Sequence, residues 1–167
     1  KPCDDHSLAQ IDEKSFLIFG GFVAGSRTNN SFICSKNGAT LDWKKCGEGS
    51  PTKPSPRASQ SAVVYNNKCY IFGGMDEDNT KFGDLWELDL TTDMWKEITL
   101  PNGSPCPQPR SGHSANIFNG KMYIFGGILE LTKELNEMLI YDFKTGTFAI
   151  VGSDGQPNAD LDKGLSH

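Results

Sequence analysis

No apolar run in this chain approaches the ~20 residues that a bilayer-spanning helix requires. A basic stretch is missing too: 16 lysines and arginines stand against 21 aspartates and glutamates, for a net charge of −5. That balance argues against nucleic acid or an anionic membrane surface as the main partner. Histidine, the usual ligand and general base, occurs only as His6, His113 and His167. There is no nucleophile elbow, phosphate loop or His-Glu-x-x-His segment, so no catalytic residue, metal or cofactor is expected here. Asp76-Glu77-Asp78-Asn79 lacks the later glycine and glutamate of a calcium loop and reads as a solvated loop.

Cysteine is sparse and odd in number. Cys3, Cys34, Cys46, Cys69 and Cys106 follow no metal-ligand spacing and no paired framework, which favours a reducing, cytoplasmic setting. Cys46 and Cys69 fall in strand positions that hold apolar residues elsewhere in the chain, and are expected to pack as small hydrophobes.

What the chain does have is a threefold repeat. Ile18-Phe19-Gly20-Gly21, Ile71-Phe72-Gly73-Gly74 and Ile124-Phe125-Gly126-Gly127 are each displaced by 53 positions (71 − 18 and 124 − 71). A fixed period of this size marks stacked supersecondary units. In the second and third units, β-rich runs flank Asn66-Asn67 and Asn119-Gly120, pairs that suit a type I′ hairpin because both residues tolerate positive φ. Paired glycines end the second strand, where a close backbone approach or sharp turn has no room for a Cβ. A third strand ends in Leu88-Asp89 or Tyr141-Asp142, and a fourth begins near Trp43, Trp95 or Phe148. Each unit therefore reads as a four-stranded antiparallel sheet, over about 6–46, 59–98 and 112–151. Pro/Gly/Ser-rich connectors separate them, with φ preset by proline.

The double glycine, the aromatic-Asp pair, the fourth-strand tryptophan and the lead-in Pro109-Arg110-Ser111-Gly112-His113-Ser114 together resemble the kelch repeat, over essentially the whole chain. The resemblance implies an all-β propeller segment of three blades, with four strands per blade around a central channel. Three blades leave two apolar blade faces, so the expectation is that residues 1–167 form part of a six- or seven-bladed ring. The missing blades would come from the rest of a longer chain or from a second copy. The start at Lys1, without methionine, fits the longer chain.

Function, on this resemblance, is protein–protein interaction through the loop face. An alternative is a regulatory or substrate-recruiting domain attached to a phosphatase, kinase or ubiquitin ligase. Further off lies a kelch-type oxidase, whose metal-binding tyrosines and histidines find no matching constellation here. Arg57 and Arg110 follow a proline just before each blade's innermost strand. They are expected near the channel mouth, gripping a partner's carboxylate or phosphate, with Lys163 as a third member. The competing reading is that each caps its own connector or pairs with a neighbouring blade. The three histidines sit at repeat-equivalent positions, which favours hydrogen bonds to a turn or adjacent blade over chemistry. The loops 22–30, 75–83 and 128–136 share a length of nine residues and almost no sequence, as variable binding loops on a common scaffold would. Their candidate contacts are Arg27, Asp76, Asp78, Lys81, Glu130, Lys133 and Glu134.

Overall fold

The computed structural model describes residues 2–130 and 133–152. Three four-stranded antiparallel sheets follow one another along the chain. The first holds β1 (Ser7–Gln10), β2 (Ser15–Phe19), β5 (Ser31–Asn37) and β6 (Thr40–Cys46), and a small hairpin of β3 (Phe22–Val23) and β4 (Ser26–Arg27) interrupts it. The second is β7 (Ser61–Tyr65), β8 (Lys68–Phe72), β9 (Leu85–Asp89) and β10 (Met94–Glu97). The third holds β11 (Ser114–Phe118), β12 (Lys121–Phe125), β15 (Met138–Asp142) and β16 (Thr147–Val151). A second small hairpin of β13 (Ile128–Glu130) and β14 (Lys133–Glu134) stands in its long loop. No helix occurs among the described residues. The fourth strand of blade two begins at Met94, one residue before the Trp95 read from sequence.

Local chemistry accounts for these sheets. Asn66 and Asn67 take φ of 49° and 58°, and Asn119 and Gly120 take 45° and 70°, as a type I′ turn requires. In blades two and three the aspartate closing the third strand caps the next turn. Asp89 accepts from the Thr91 and Thr92 amides at 2.8 and 3.0 Å, and Asp142 accepts from the Lys144 amide at 2.8 Å. These amides hold both carboxyls below the ordinary aspartate value.

The period-two pattern of each strand sends alternate side chains to opposite neighbours. Leu17 and Phe19 of blade one pack with Cys69, Ile71, Trp86, Leu88 and Trp95 of blade two. The opposite face of blade two, Val63, Tyr70, Phe72 and Leu85, packs with Met122, Ile124, Leu139, Tyr141 and Phe148 of blade three. The same aromatic contact seals both interfaces, Phe19 on Trp95 at 5.3 Å and Phe72 on Phe148 at 5.8 Å between ring centroids. One repeat further out, that contact has no second half among the described residues. Trp43 is 58% exposed and Phe125 is 51% exposed, at the outer faces of blades one and three. Cys46 and Cys69 are buried in the first interface, where loss of water raises both thiols, Cys46 to about 11.

Strand direction sorts the connections into two ends. The double-glycine loops and the inter-blade connectors gather at one end, and the tight turns lie at the other. The first strands β1, β7 and β11 are neighbours across the blades, so they form the inner edge of the array.

Candidate functional site

Arg57 and Arg110 follow the competing reading, each binding its own connector. Both are fully buried, 0% exposed, among the largest such side chains in the molecule. Arg57 donates from Nε to the Ser55 carbonyl at 3.1 Å and from Nη1 to the Gly73 carbonyl at 3.0 Å. Its fork closes on Asp84 at 2.6 and 2.9 Å, and its face covers the Phe82 ring at 4.1 Å. Arg110 repeats the arrangement with the carbonyls of Gln108 and Gly126, both at 3.1 Å, and pairs through Nη2 with buried Glu137. A guanidinium bound this way ties connector, double glycine and third strand together, because one planar group satisfies several acceptors at once. The expectation that these two arginines reach a partner at the channel mouth is therefore corrected. Their donors are spent inside their own blades, and further blades could only bury them more. Lys163 and His167 lie outside the described residues.

Between blades the contacts are equally regular. The amide of Gly21 donates to the Arg57 carbonyl and that of Gly74 to the Arg110 carbonyl, each at 2.8 Å. Gln60 reaches back to the Phe19 carbonyl at 2.8 Å and to Ser7 Oγ at 3.1 Å. His113, at the same repeat position one blade on, meets Ser61 Oγ at 2.9 Å through Nε2 and is buried. This is the structural role that the repeat suggested for histidine; His6, by contrast, is exposed.

Burial, and next the Arg110 charge, push the His113 imidazole down to about 4, with the Phe72 carbonyl pulling the other way. The neutral ring is thus the folded form. Its contribution is fully present above the ordinary value of 6.5 and is lost as pH falls from there toward 4. Unfolding followed by tryptophan fluorescence should show the chain weakening by about 2–3 kcal/mol across that window. His113→Gln, which installs the blade-two residue, should flatten this part of the profile; an unchanged profile would remove His113 from the account.

The loop residues divide into two groups. Asp78, Glu130, Lys133 and Glu134 are exposed. Asp76 caps its own loop by accepting from the amides of Asp78 and Thr80 at 3.0 and 2.9 Å, and Lys81 donates to the Asn79 carbonyl at 3.2 Å. Arg27 crosses to the next blade, donating from Nη2 to Asn79 at 3.0 Å and pairing with Glu77 at 3.5 Å. A cleft of about 630 Å³ separates the second loop from the third, with Asp78, Asn79, Thr80 and Lys81 on one side, Leu129 and Glu130 on the other, and Pro109 between. Among the described residues no group of three or more histidine, cysteine, aspartate or glutamate side chains is placed to hold a metal.

Sequence reasoning missed the first lead-in. Pro2-Cys3-Asp4-Asp5-His6-Ser7 is spaced like Pro56-Arg57 to Ser61 and Pro109-Arg110 to Ser114, with Cys3 in place of the arginine. Matching positive φ values at Asp5 (51°), Ser59 (56°) and Gly112 (68°) confirm the alignment. The match of His6-Ser7 to His113-Ser114, at an offset one residue out of phase with the repeat, pointed to it, but was not followed back to Pro2-Cys3.

Repeated four-stranded sheets, each joined to the next through double glycines and a buried side-chain seal, define a β-propeller blade array. The KLHDC2/KLHL20/DRC7 Kelch-repeats domain matches residues 5–163, and the chain belongs to the kelch-repeat family. Human host cell factor 2 is 37% identical over 176 residues, covering 92% of this chain and 21% of that protein. Human host cell factor 1 is 41% identical over 151 residues, or 80% and 7%. A probable serine/threonine-protein kinase of Dictyostelium discoideum is 32% identical over 124 residues, or 74% and 9%. The chain thus spans about a fifth or less of the length of these relatives.

Proposed function

We propose that this chain is a protein-interaction module whose partner lies across the loop face. The observation that carries the reading is the contrast between scaffold and loops. Three loops of one length and unlike sequence emerge at one end, and the two that flank the 630 Å³ cleft present Asp78 and Glu130 to solvent. Exposed Lys133 and Glu134, with Lys81, extend the contact surface, while Arg27 and Asp76 hold the loops in shape. Nothing in this reading calls for catalysis by these residues. Further blades, from the rest of a longer chain or from a second copy, cover the faces carrying Trp43 and Phe125. A reducing, cytoplasmic setting belongs to the same reading, motivated by the odd, unpaired set of cysteines.

A second reading has one observation in its favour, the kinase relative. There a similar segment occupies 9% of a protein named for catalysis, so a recruiting or regulatory role beside a catalytic domain fits as well.

The test compares affinity capture by the wild-type chain, by D78K/E130K at the loop end, and by K144E at the turn end. The loop-end variant should lose the retained proteins and the turn-end variant should keep them. Identical retained sets from all three would overturn the loop-face reading.

A further inference from the structure

Blade one lacks the arginine clasp. Cys3 stands where Arg57 and Arg110 stand, and Asn30, the residue before β5, stands where Asp84 and Glu137 precede β9 and β15. Thr28 likewise replaces Phe82, the ring that Arg57 covers. The acceptor that the arginines use is still present as the Gly20 carbonyl, but it receives only the Cys3 thiol, at 3.6 Å. Beside these residues is a pocket of about 600 Å³ that Cys3, Gly20, Thr28 and Asn30 line together with Ile18, Val23, Phe32 and Trp43.

The backbone scaffold of this loop is otherwise that of its neighbours. Thr28 donates to the Gly21 carbonyl at 3.0 Å, as Phe82 does to Gly74 at 2.9 Å and Leu135 to Gly127 at 2.8 Å. What holds the loop sideways is the Asn29 bond to the Pro54 carbonyl at 2.9 Å and the Arg27 contact with Glu77 and Asn79, in which the arginine is 11% and the glutamate 53% exposed. Such a pair is weak and screened by salt, whereas a buried charge-assisted fork is neither.

We infer that the loop of residues 22–30 is the adaptable part of the loop face, opening locally while the clasped loop 75–83 stays shut. Beyond backbone bonds of the kind loop 75–83 also makes, opening it breaks the Arg27 pair with Glu77, the Asn29 bond to the Pro54 carbonyl and a thiol contact, but no arginine–carboxylate fork. Opening loop 75–83 would strip Asp84 from a guanidinium with no access to water. A partner that needs an adjusted surface would therefore find it at blade one. Loop opening is a property of the free chain, so its measurement does not depend on the loop face binding anything.

Hydrogen exchange read by mass spectrometry on the full 167-residue chain tests this. Amides of 22–30 should exchange at least about tenfold faster than those of 75–83. Rebuilding the clasp with C3R/N30D should slow exchange at 22–30 by about tenfold, while C3R alone, a cation without its carboxylate, should not. Wild-type loops exchanging at equal rates, or a folded C3R/N30D variant exchanging as the wild type does, would overturn the inference.

Discussion

Arg110→Ala should destabilise the chain by about 3–5 kcal/mol, the cost of stranding a buried charge without its partner. Glu137 is 8% exposed and cannot recruit water once the guanidinium is gone, and the Gly126 and Gln108 carbonyls lose their donors together. At this chain length each kcal/mol moves the midpoint by about 2–4 °C, so a fall on the order of 10 °C is expected in thermal unfolding. Arg57→Ala should cost less, about 1–3 kcal/mol, because the Asp84 side chain is 23% exposed and keeps the Trp86 indole donor at 2.7 Å. Arg110→Lys should recover only part of the loss, since an ammonium reproduces the charge but not the planar fork. A result in which Arg57→Ala costs the more would contradict the burial argument.

The second large effect is expected at the double glycine. In Gly73→Ala the new methyl would lie 2.6 Å from the Arg110 carbonyl oxygen and 2.8 Å from His113 Cε1, on a backbone with φ of +64°. The left-handed conformation alone costs about 1–2 kcal/mol for a residue with a Cβ. Overlap with a backbone carbonyl of the next blade adds about 1–3 kcal/mol, because that carbonyl is itself held by the Gly74 amide and cannot retreat freely. Gly112→Ala supplies the control: φ is +68° but nothing lies within 4 Å of the new methyl. Urea unfolding should place Gly73→Ala near or above 3 kcal/mol and Gly112→Ala near 1 kcal/mol. Equal costs for the two would mean that the blades do not approach each other as closely as described.

Why much of the fold could be read from the letters follows from these same residues. Gly73 and Gly74, Asn66 and Asn67, and Asp89 each satisfy a local requirement, positive φ or a turn cap, that few other residues meet. Such residues recur wherever the fold recurs, and a period of 53 exposes them. The arginines were equally visible, but their environment was not. Asp84 and Glu137 each lie 27 positions further along and 53 positions apart, so an acid recurs with the repeat, but nothing in the letters shows that it folds back onto Arg57 or Arg110. A charged residue after a proline in a connector looks exposed until the third strand arrives to cover it. The loop residues were the reverse case. Their exposure follows from sequence, but the latch from Arg27 to Glu77 joins residues 50 positions apart on different blades and needed the structure.

The division of labour between buried arginine clasps and exposed loops is most directly tested by a double-mutant cycle on Arg110 and Glu137. Urea unfolding of R110A, E137A and R110A/E137A gives the coupling of the pair. A coupling of about 2 kcal/mol or more, with the double variant more stable than R110A alone, is the expected outcome. A coupling within about 0.5 kcal/mol of zero would show that the arginine is not held where the structure places it.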